Sequence, residues 1–296
     1  MSSFRVTERS IATNVLSGLQ GNLSRLADIQ QRLATGKQIS KPADSPTGTV
    51  AAMQIRSDLS TTKQHSRNAA DGAAWLGAAD GALSSVNTQV QRVRELIIAG
   101  MSSASGGSTE SREAFASEID QLHASAIGVA NTKYLDRPIF GGTTASPVAF
   151  DGTGTYQGDQ GAVQRTVGDN TKVQVAIPGD AVFGTGPNQL FTVMADIADH
   201  MRTDPSALSD DLDRLGAASA TMMSAQSTVG ARFNQLSRMQ QAADDKVMSL
   251  SAQLSEVEDI DLPKTLTDLS LQQSAYQAAL AVGAKVVQQS LLDFLR

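Results

Sequence analysis

The side chains that could do chemistry are few in this chain and stand apart from one another. Its three histidines, His65, His123 and His200, form no His-Glu-x-x-His pattern of the kind that binds a catalytic metal. Two short acidic clusters could supply a glycosidase-like carboxylate pair, but no apolar pocket is indicated that would raise one pKa. These clusters comprise Asp210, Asp211 and Asp213, and then Asp244 and Asp245. We interpret all of these residues as packed or solvated helix positions.

Two glycine-rich stretches could in principle cradle a phosphate. Neither Gly141-Gly142 nor Gly152-Thr153-Gly154 leads into a Lys-Ser/Thr pair or into a helix start, so turns explain them better. The chain has no cysteine, which excludes disulfides, thiolate metal sites and cysteine nucleophiles. The sequence therefore predicts a protein that is not an enzyme and that carries no cofactor and no metal.

Charge and hydropathy narrow the range of partners. The formal net charge is −6 and no Lys/Arg-rich run occurs, so nucleic acid and anionic membrane are poor candidates. No apolar stretch approaches the roughly 18 residues that span a bilayer. Met1 to Leu16 shows no apolar core of a secretory signal, so we expect any export to use a route without a cleaved peptide.

Apolar residues near both ends step by three and four, which is typical of a coiled-coil seam. The N-terminal stripe contains Leu16, Leu19, Leu23, Leu26, Gln30 and Leu33, and the C-terminal stripe contains Leu262, Leu266, Leu269, Gln273, Tyr276, Leu280, Gly283 and Val287. Stripes so narrow need a partner helix, so we expect the two terminal helices to pair with each other and with other subunits. The candidate assembly interface comprises the leucines and Tyr276 of both stripes, with Val287 and Phe294. Gln30 and Gln273 are either tolerated polar substitutions or residues that set register.

Between these ends the pattern predicts a mainly α fold with a small β-rich insert. Gly36 ends the first helix, and Ser45 with Pro46 begins a second long one. Strand-like runs lie between about residues 138 and 183, and helix returns at about residue 188. The predicted domains are residues 1–42 with 260–296 for terminal assembly, 43–137 with 187–259 for helical rods, and 138–186 for the insert.

Three stretches resemble the flagellin superfamily. The first runs from Leu33 to Pro46 and contains Gly36-Lys37-Gln38-Ile39, although Ser45 stands where a second acidic residue is common. The second runs from Asn131 to Thr143 and continues to Phe150 and to Tyr156-Gln157-Gly158-Asp159. The third joins residues 269–280 to the closing Ser290-Leu291-Leu292-Asp293-Phe294-Leu295. The second stretch is similar to the junction-type members of the superfamily more than to filament flagellins.

This resemblance implies a structural role in the bacterial flagellum. It implies export through the flagellar type III apparatus, an extracellular location between hook and filament, and contact with like subunits, with another hook-associated protein and with filament flagellin. It also implies an export chaperone that binds the C-terminal helix before secretion. Filament flagellin is the alternative, and an intracellular coiled-coil adaptor or a peptidoglycan hydrolase is more distant.

Overall fold

The computed structural model describes residues 8–104 and 109–294, with side chains over residues 13–102 and 109–285. Within these residues the chain is mainly helical, which confirms the predicted fold class. The helices are α1 (Glu8–Thr35), α2 (Pro46–Ala104), α3 (Thr109–Ala130), α4 (Gly179–Phe183), α5 (Leu190–Thr203), α6 (Leu208–Glu258) and α7 (Leu262–Phe294). The strands are β1 (Lys133–Tyr134), β2 (Arg137–Pro138), β3 (Gln164–Gly168) and β4 (Thr171–Gln174).

Local sequence signals explain where the long helices begin and end. Gly36 adopts φ +68°, the left-handed conformation that ends α1. The Ser45 hydroxyl accepts a hydrogen bond from the Gly48 N–H at 3.1 Å, which caps α2 ahead of Pro46. Asp204 accepts from the Ser206 N–H at 3.2 Å and starts the turn that leads into α6.

By packing, the chain divides into two compact units. The terminal unit comprises Met1–Ser60 and Met248–Arg296, and the central unit comprises Thr61–Val247. Both α2 and α6 contribute residues to each unit. The insert lies in the same central unit as the helices around it. The three-part division drawn from the sequence stays a prediction.

The core of the central unit is built on heptad spacing. On α6 every seventh residue is buried, namely Leu208, Leu215, Met222, Val229, Leu236 and Ala243. On α2 the same spacing buries Thr62, Ala69, Leu76, Leu83, Val90 and Ile97. A seven-residue repeat keeps one stripe of each helix facing its neighbours along its length. The sequence stripes therefore serve packing inside this unit.

The insert is held by aromatic packing more than by its strands. Both sheets are two-stranded antiparallel hairpins, β1 with β2 and β3 with β4. Phe150 lies at the centre of an aromatic cluster, with ring centroids 5.0 Å from Phe191 and 5.4 Å from Phe183. Gly154, at φ +83°, sits so close to Phe191 that an added Cβ would lie 2.5 Å from the Phe191 Cβ. The residues from 179 to 183, expected as turn or strand, form the short helix α4, which buries Phe183 in this cluster.

Candidate assembly interface

The terminal unit contains an antiparallel pair formed by α1 and α7. The Gln272 Nε2 donates to the Asn22 carbonyl oxygen at 3.2 Å, and Lys37 forms an antiparallel bridge with Asp259. Gly283 faces Val15, because a Cβ added to this glycine would lie 3.1 Å from a Val15 methyl group. These contacts fix one register along the length of the pair.

The seam of this pair uses only half of each predicted stripe. The half-buried residues of α1 are Val15, Leu19, Gly21, Asn22, Leu26, Ile29 and Leu33, and those of α7 are Thr265, Leu269, Gln272, Tyr276 and Ala279, with Gly283 buried. Of the predicted stripes, Leu19, Leu26, Leu33, Leu269 and Tyr276 thus lie in the seam. Their role in assembly stays a prediction. The other seam positions lie outside the predicted stripes and are Val15, Asn22 and Ile29 on α1 and Thr265, Gln272 and Ala279 on α7.

The remaining predicted leucines lie beside the seam and are exposed. Leu16 is 59% exposed, Leu23 52%, Leu266 47% and Leu280 45%. Each directly follows a seam residue along its own helix. In an antiparallel pair such positions lie on the same side of both helices, and the register puts Leu16 level with Leu280. We call this surface, with Leu23 and Leu266, the leucine face.

Gln30 and Gln273 are exposed as well and stand in the leucine face. The register places Gln30 level with Leu266, and Gln273 level with Leu23. The polar contact inside the seam is instead made by Asn22 and Gln272, one residue before the predicted position on α7. A polar pair within a helix seam can fix the alignment of two helices, because other registers leave its groups unpaired.

Three further residues of the predicted assembly interface lie towards the two ends of α7. Leu262, at the start of α7, is 54% exposed. Val287 and Phe294 lie within the span of α7, but their side chains fall outside the described residues. Leu262 therefore adds to the exposed apolar surface of the terminal unit.

A buried carboxylate joins three segments of the terminal unit. Glu258, with its side chain 4% exposed, receives Lys37 Nζ at 2.9 Å and Arg56 Nη2 at 2.7 Å. Burial alone would raise the pKa of Glu258, but the hydrogen bonds from Lys37 and Arg56 outweigh it and lower the pKa. The Gln38 N–H also donates to the Glu258 carbonyl at 2.6 Å. Sequence analysis missed Glu258, since a single acid at the end of a helix carries no distinctive pattern.

The stretch after Asn131 works as a scaffold for the insert. The Asn131 side chain accepts from the N–H groups of Ala149 and Phe150 at 2.8 and 2.9 Å, and it donates to the Phe150 carbonyl at 2.8 Å. The Tyr156 hydroxyl donates to the carbonyl oxygens of Phe140 and Asp159. Burial raises the pKa of Tyr156 to about 12. In the second stretch that resembles the flagellin superfamily, Asn131 and Tyr156 thus hold the loops of the insert in place.

Of the residues considered for catalysis or metal binding, His200, Asp211 and His123 contact neighbouring side chains within the fold. His200 Nδ1 lies 2.6 Å from the buried carboxylate of Asp211, whose other oxygen accepts from Arg214 at 2.9 Å. His123 packs against Phe191, with ring centroids 6.4 Å apart, and burial lowers its pKa. Among the residues that the structure describes, no group of three potential metal ligands comes together. Nor does any helix in that part of the chain have the length and apolar character to cross a membrane.

The α1–α7 pair thus combines a half-buried seam, a polar contact within that seam and a row of exposed leucines beside it. The family model of the bacterial flagellin N-terminal helical region matches residues 6–145, and that of the C-terminal helical region matches residues 212–295. The chain therefore belongs to the bacterial flagellin family.

Individual relatives resemble the chain over nearly its whole length. Flagellar hook-associated protein 3 of Salmonella typhimurium is 20% identical, over 99% of this chain and 100% of that protein. The flagellin of Halalkalibacterium halodurans is 25% identical, over 96% of this chain and 97% of its own. A crystal structure of the flagellar junction protein FlgL from Legionella pneumophila shares the fold, with a TM-score of 0.58 and 16% identity over 70% of this chain and 99% of that one.

Proposed function

We propose that the protein is a structural component of the bacterial flagellum that joins the hook to the flagellin filament. The observation that carries this proposal is the leucine face on the α1–α7 pair. Four leucines there are roughly half exposed, and burying each would contribute on the order of 1.5–3 kcal/mol. Several large apolar side chains exposed along one side of a helix pair are typical of a surface that other chains cover.

The insert supports a junction protein over a filament protein. Its scaffold uses Asn131, Phe150 and Tyr156, residues of the stretch that resembles junction-type members. Salmonella hook-associated protein 3, similar along its full length, agrees with that assignment. Filament flagellin remains the second candidate, because the Halalkalibacterium flagellin is somewhat more identical to this chain.

The proposal includes the partners and the location. The leucine face would pack against like subunits, against another hook-associated protein and against filament flagellin. Before export, a chaperone would cover the same apolar positions on α7, and export would use the type III route to the cell exterior. No step of this role requires catalysis.

Antibody labelling of isolated flagella tests the proposal directly. A narrow band at the hook–filament boundary is the expected result. Label along the whole filament would identify a flagellin instead, and flagella without label would exclude both roles.

Assembly of the purified protein provides a second readout. We expect monomers or short oligomers at micromolar concentration, and saturable recruitment to hooks capped with the neighbouring hook-associated protein. A junction protein must not extend itself without limit, since repeated head-to-tail contacts grow filaments. Long regular filaments of this protein alone, seen by electron microscopy, would contradict the junction role.

A further inference from the structure

A groove in the central unit lies between one face of α6 and the segment from the end of β4 to α4. It has a volume of about 680 Å³ and is lined on the α6 side by residues between Ala220 and Arg232, and on the other side by residues between Gln174 and Ala181. The stretch from Ala220 to Arg232 measures about 18 Å along the helix axis. This length accommodates about five residues of an extended polypeptide.

Arg232 is the one charged residue in the lining of this groove, and it is half-buried. Its guanidinium forms no hydrogen bond or ion pair with any residue that the structure describes, and its Nη1 is shielded from solvent. Removing a cationic donor from water without an acceptor costs free energy. An anion that reaches the guanidinium from the groove would therefore stabilise this side chain.

The acid beside the groove is already engaged elsewhere. Asp180 precedes the lining residue Ala181, and its carboxylate accepts from the Gln160 Nε2 at 2.9 Å and from the Ala181 N–H at 2.8 Å. It forms no ion pair with Arg232. The groove thus has a cation without a carboxylate of its own chain to pair with it.

The other polar groups of the lining offer hydrogen-bond acceptors. The hydroxyls of Thr221 and Thr228 each donate to a carbonyl oxygen of the preceding turn of α6 at 3.1 Å, and their oxygens can still accept. The Gln174 Nε2 donates to the Ala176 carbonyl at 2.9 Å, which leaves the side-chain oxygen of Gln174 as a further acceptor. Ile177 adds an apolar part to the opposite side. A matching occupant has an anionic group, N–H donors and small apolar groups.

We propose that this groove binds an extended acidic segment of another protein chain, with a carboxylate of that segment paired with Arg232. The length of the groove favours a polypeptide over a small molecule, and a polypeptide backbone supplies N–H donors at regular spacing. The unpaired guanidinium favours Asp or Glu in that segment, because Arg binds carboxylates in a bidentate manner. This contact goes beyond the proposed junction role, since the groove belongs to the central unit and the leucine face to the terminal unit.

Peptide binding tests this chemistry without any flagellar component. The probe is an acetylated and amidated heptapeptide, Gly-Ala-Ser-Glu-Ser-Ala-Gly, that carries an uncharged fluorophore. By fluorescence anisotropy, the full chain should bind it at least about tenfold more tightly than the same peptide with Gln in place of Glu. Arg232→Gln should remove this preference. Arg238→Gln, at an exposed position of the same helix, is the matched control and should retain it.

Three outcomes of the peptide experiment would overturn the contact. The first is equal affinity for the two peptides, or no binding of either. The second is an equal loss with Arg232→Gln and Arg238→Gln, which would show a general attraction between opposite charges. The third is competition by N-acetylglutamate N-methylamide that is as strong as competition by the unlabelled heptapeptide, which would identify a small carboxylate as the ligand.

Thiol protection tests whether the groove is occupied in the flagellum, and this arm rests on the proposed function. The chain has no cysteine, so Ser224→Cys places a single thiol at an exposed position of the groove. On recruitment to capped hooks, the rate at which a maleimide labels this thiol should fall by about tenfold or more relative to the free monomer. With Arg232→Gln added, the rate should return to within about twofold of that of the free monomer.

The outcomes of this arm separate the groove contact from the junction role. Recruited Ser224→Cys protein that is labelled at the free rate would show an open groove and overturn the contact, while the junction role stands. Protection that persists with Arg232→Gln would overturn the pairing with a carboxylate. Failure of the wild-type protein to bind capped hooks would overturn the junction role alone, because the peptide measurement decides the groove contact by itself.

Discussion

At the scale of single residues, burial separates two kinds of leucine in the terminal helices. Leu26 and Leu33 are half-buried against the partner helix, whereas Leu23 and Leu280 stand exposed beside the seam. The exposed leucines contribute little to packing within the monomer. Substitutions at these positions should therefore alter assembly with little effect on the folded monomer.

Leu266→Asp and Leu280→Asp should abolish assembly while the monomer stays folded. Each change costs the monomer within about 0.5 kcal/mol, because the side chain is exposed, but it places a carboxylate where the assembled state needs an apolar group. Recruitment to capped hooks should fall at least about tenfold. Leu271→Asp is the matched control, since Leu271 is 69% exposed and lies outside the leucine face. Equal loss with all three variants would show a general charge effect instead.

His200 gives the stability of the central unit a pH dependence. The hydrogen bond to Asp211 raises the pKa of His200 above its usual value of 6.5. A raised pKa means that the stabilisation is fully present below the pKa of the unfolded chain and is lost as pH rises through that of the folded protein. The difference in unfolding free energy between wild type and His200→Gln should therefore be larger at about pH 5.5 than at about pH 8.5, as measured by urea denaturation. A difference that grows with pH would refute this assignment.

At the scale of elements, most of the fold could be predicted from sequence. Gly36, Ser45 and Pro46 are local signals, so the ends of α1 and the start of α2 were accessible without tertiary information. The α4 helix was not, because Gly179–Phe183 is fixed by the burial of Phe183 against other aromatic rings. Sequence also could not choose between two overlapping stripes on α1, since leucine content favoured Leu16 and Leu23 over the seam residue Asn22.

The α1–α7 pair should open readily in the free protein. Its seam contains Asn22, Gln272 and Gly283 and is mostly half-buried, so its stability depends on partners more than on its own packing. We expect limited trypsin digestion of the monomer to cleave at Arg25, Arg32 and Lys264 before it cleaves the central unit, as mass spectrometry would show. Early cleavage confined to residues 61–247 would contradict this expectation.

Glu258→Gln should accelerate that cleavage. The change removes the charge that pairs with Lys37 and Arg56, and we expect a cost of about 1–2 kcal/mol after allowance for the partly exposed partners. Cleavage that follows the open population would then be roughly five to thirty times faster. Glu256→Gln, at an exposed position two residues away, is the control and should leave the rate unchanged.

At the scale of the whole molecule, the two units are stabilised by different kinds of contact. The central unit holds the buried aromatic cluster and the heptad cores of α2 and α6. It also contains the only tryptophan, Trp75, which is 2% exposed. Among its described residues, the terminal unit has a half-buried two-helix seam and the buried ion-pair cluster of Glu258.

Thermal unfolding should therefore proceed in two steps. Far-ultraviolet circular dichroism should record an early loss of helix that Trp75 fluorescence does not report, followed by a main transition seen by both. The Leu271→Asp variant should show the same two steps as wild type. Coincident transitions by both probes would show that the units unfold as one cooperative body.

The pairing of Asn22 with Gln272 spans 250 positions of the chain. The central unit, residues 61–247, has its own buried core and includes neither end of the chain, so it can fold before the two terminal helices meet. The connectivity therefore favours folding of the central unit before the terminal pair. A chain that leaves a channel one end first can fold its central unit while α1 and α7 are still apart. The two helices can then pair with each other and afterwards contact neighbouring subunits. On the proposed export route, the surface that binds other subunits would become complete only after the chain has left the channel.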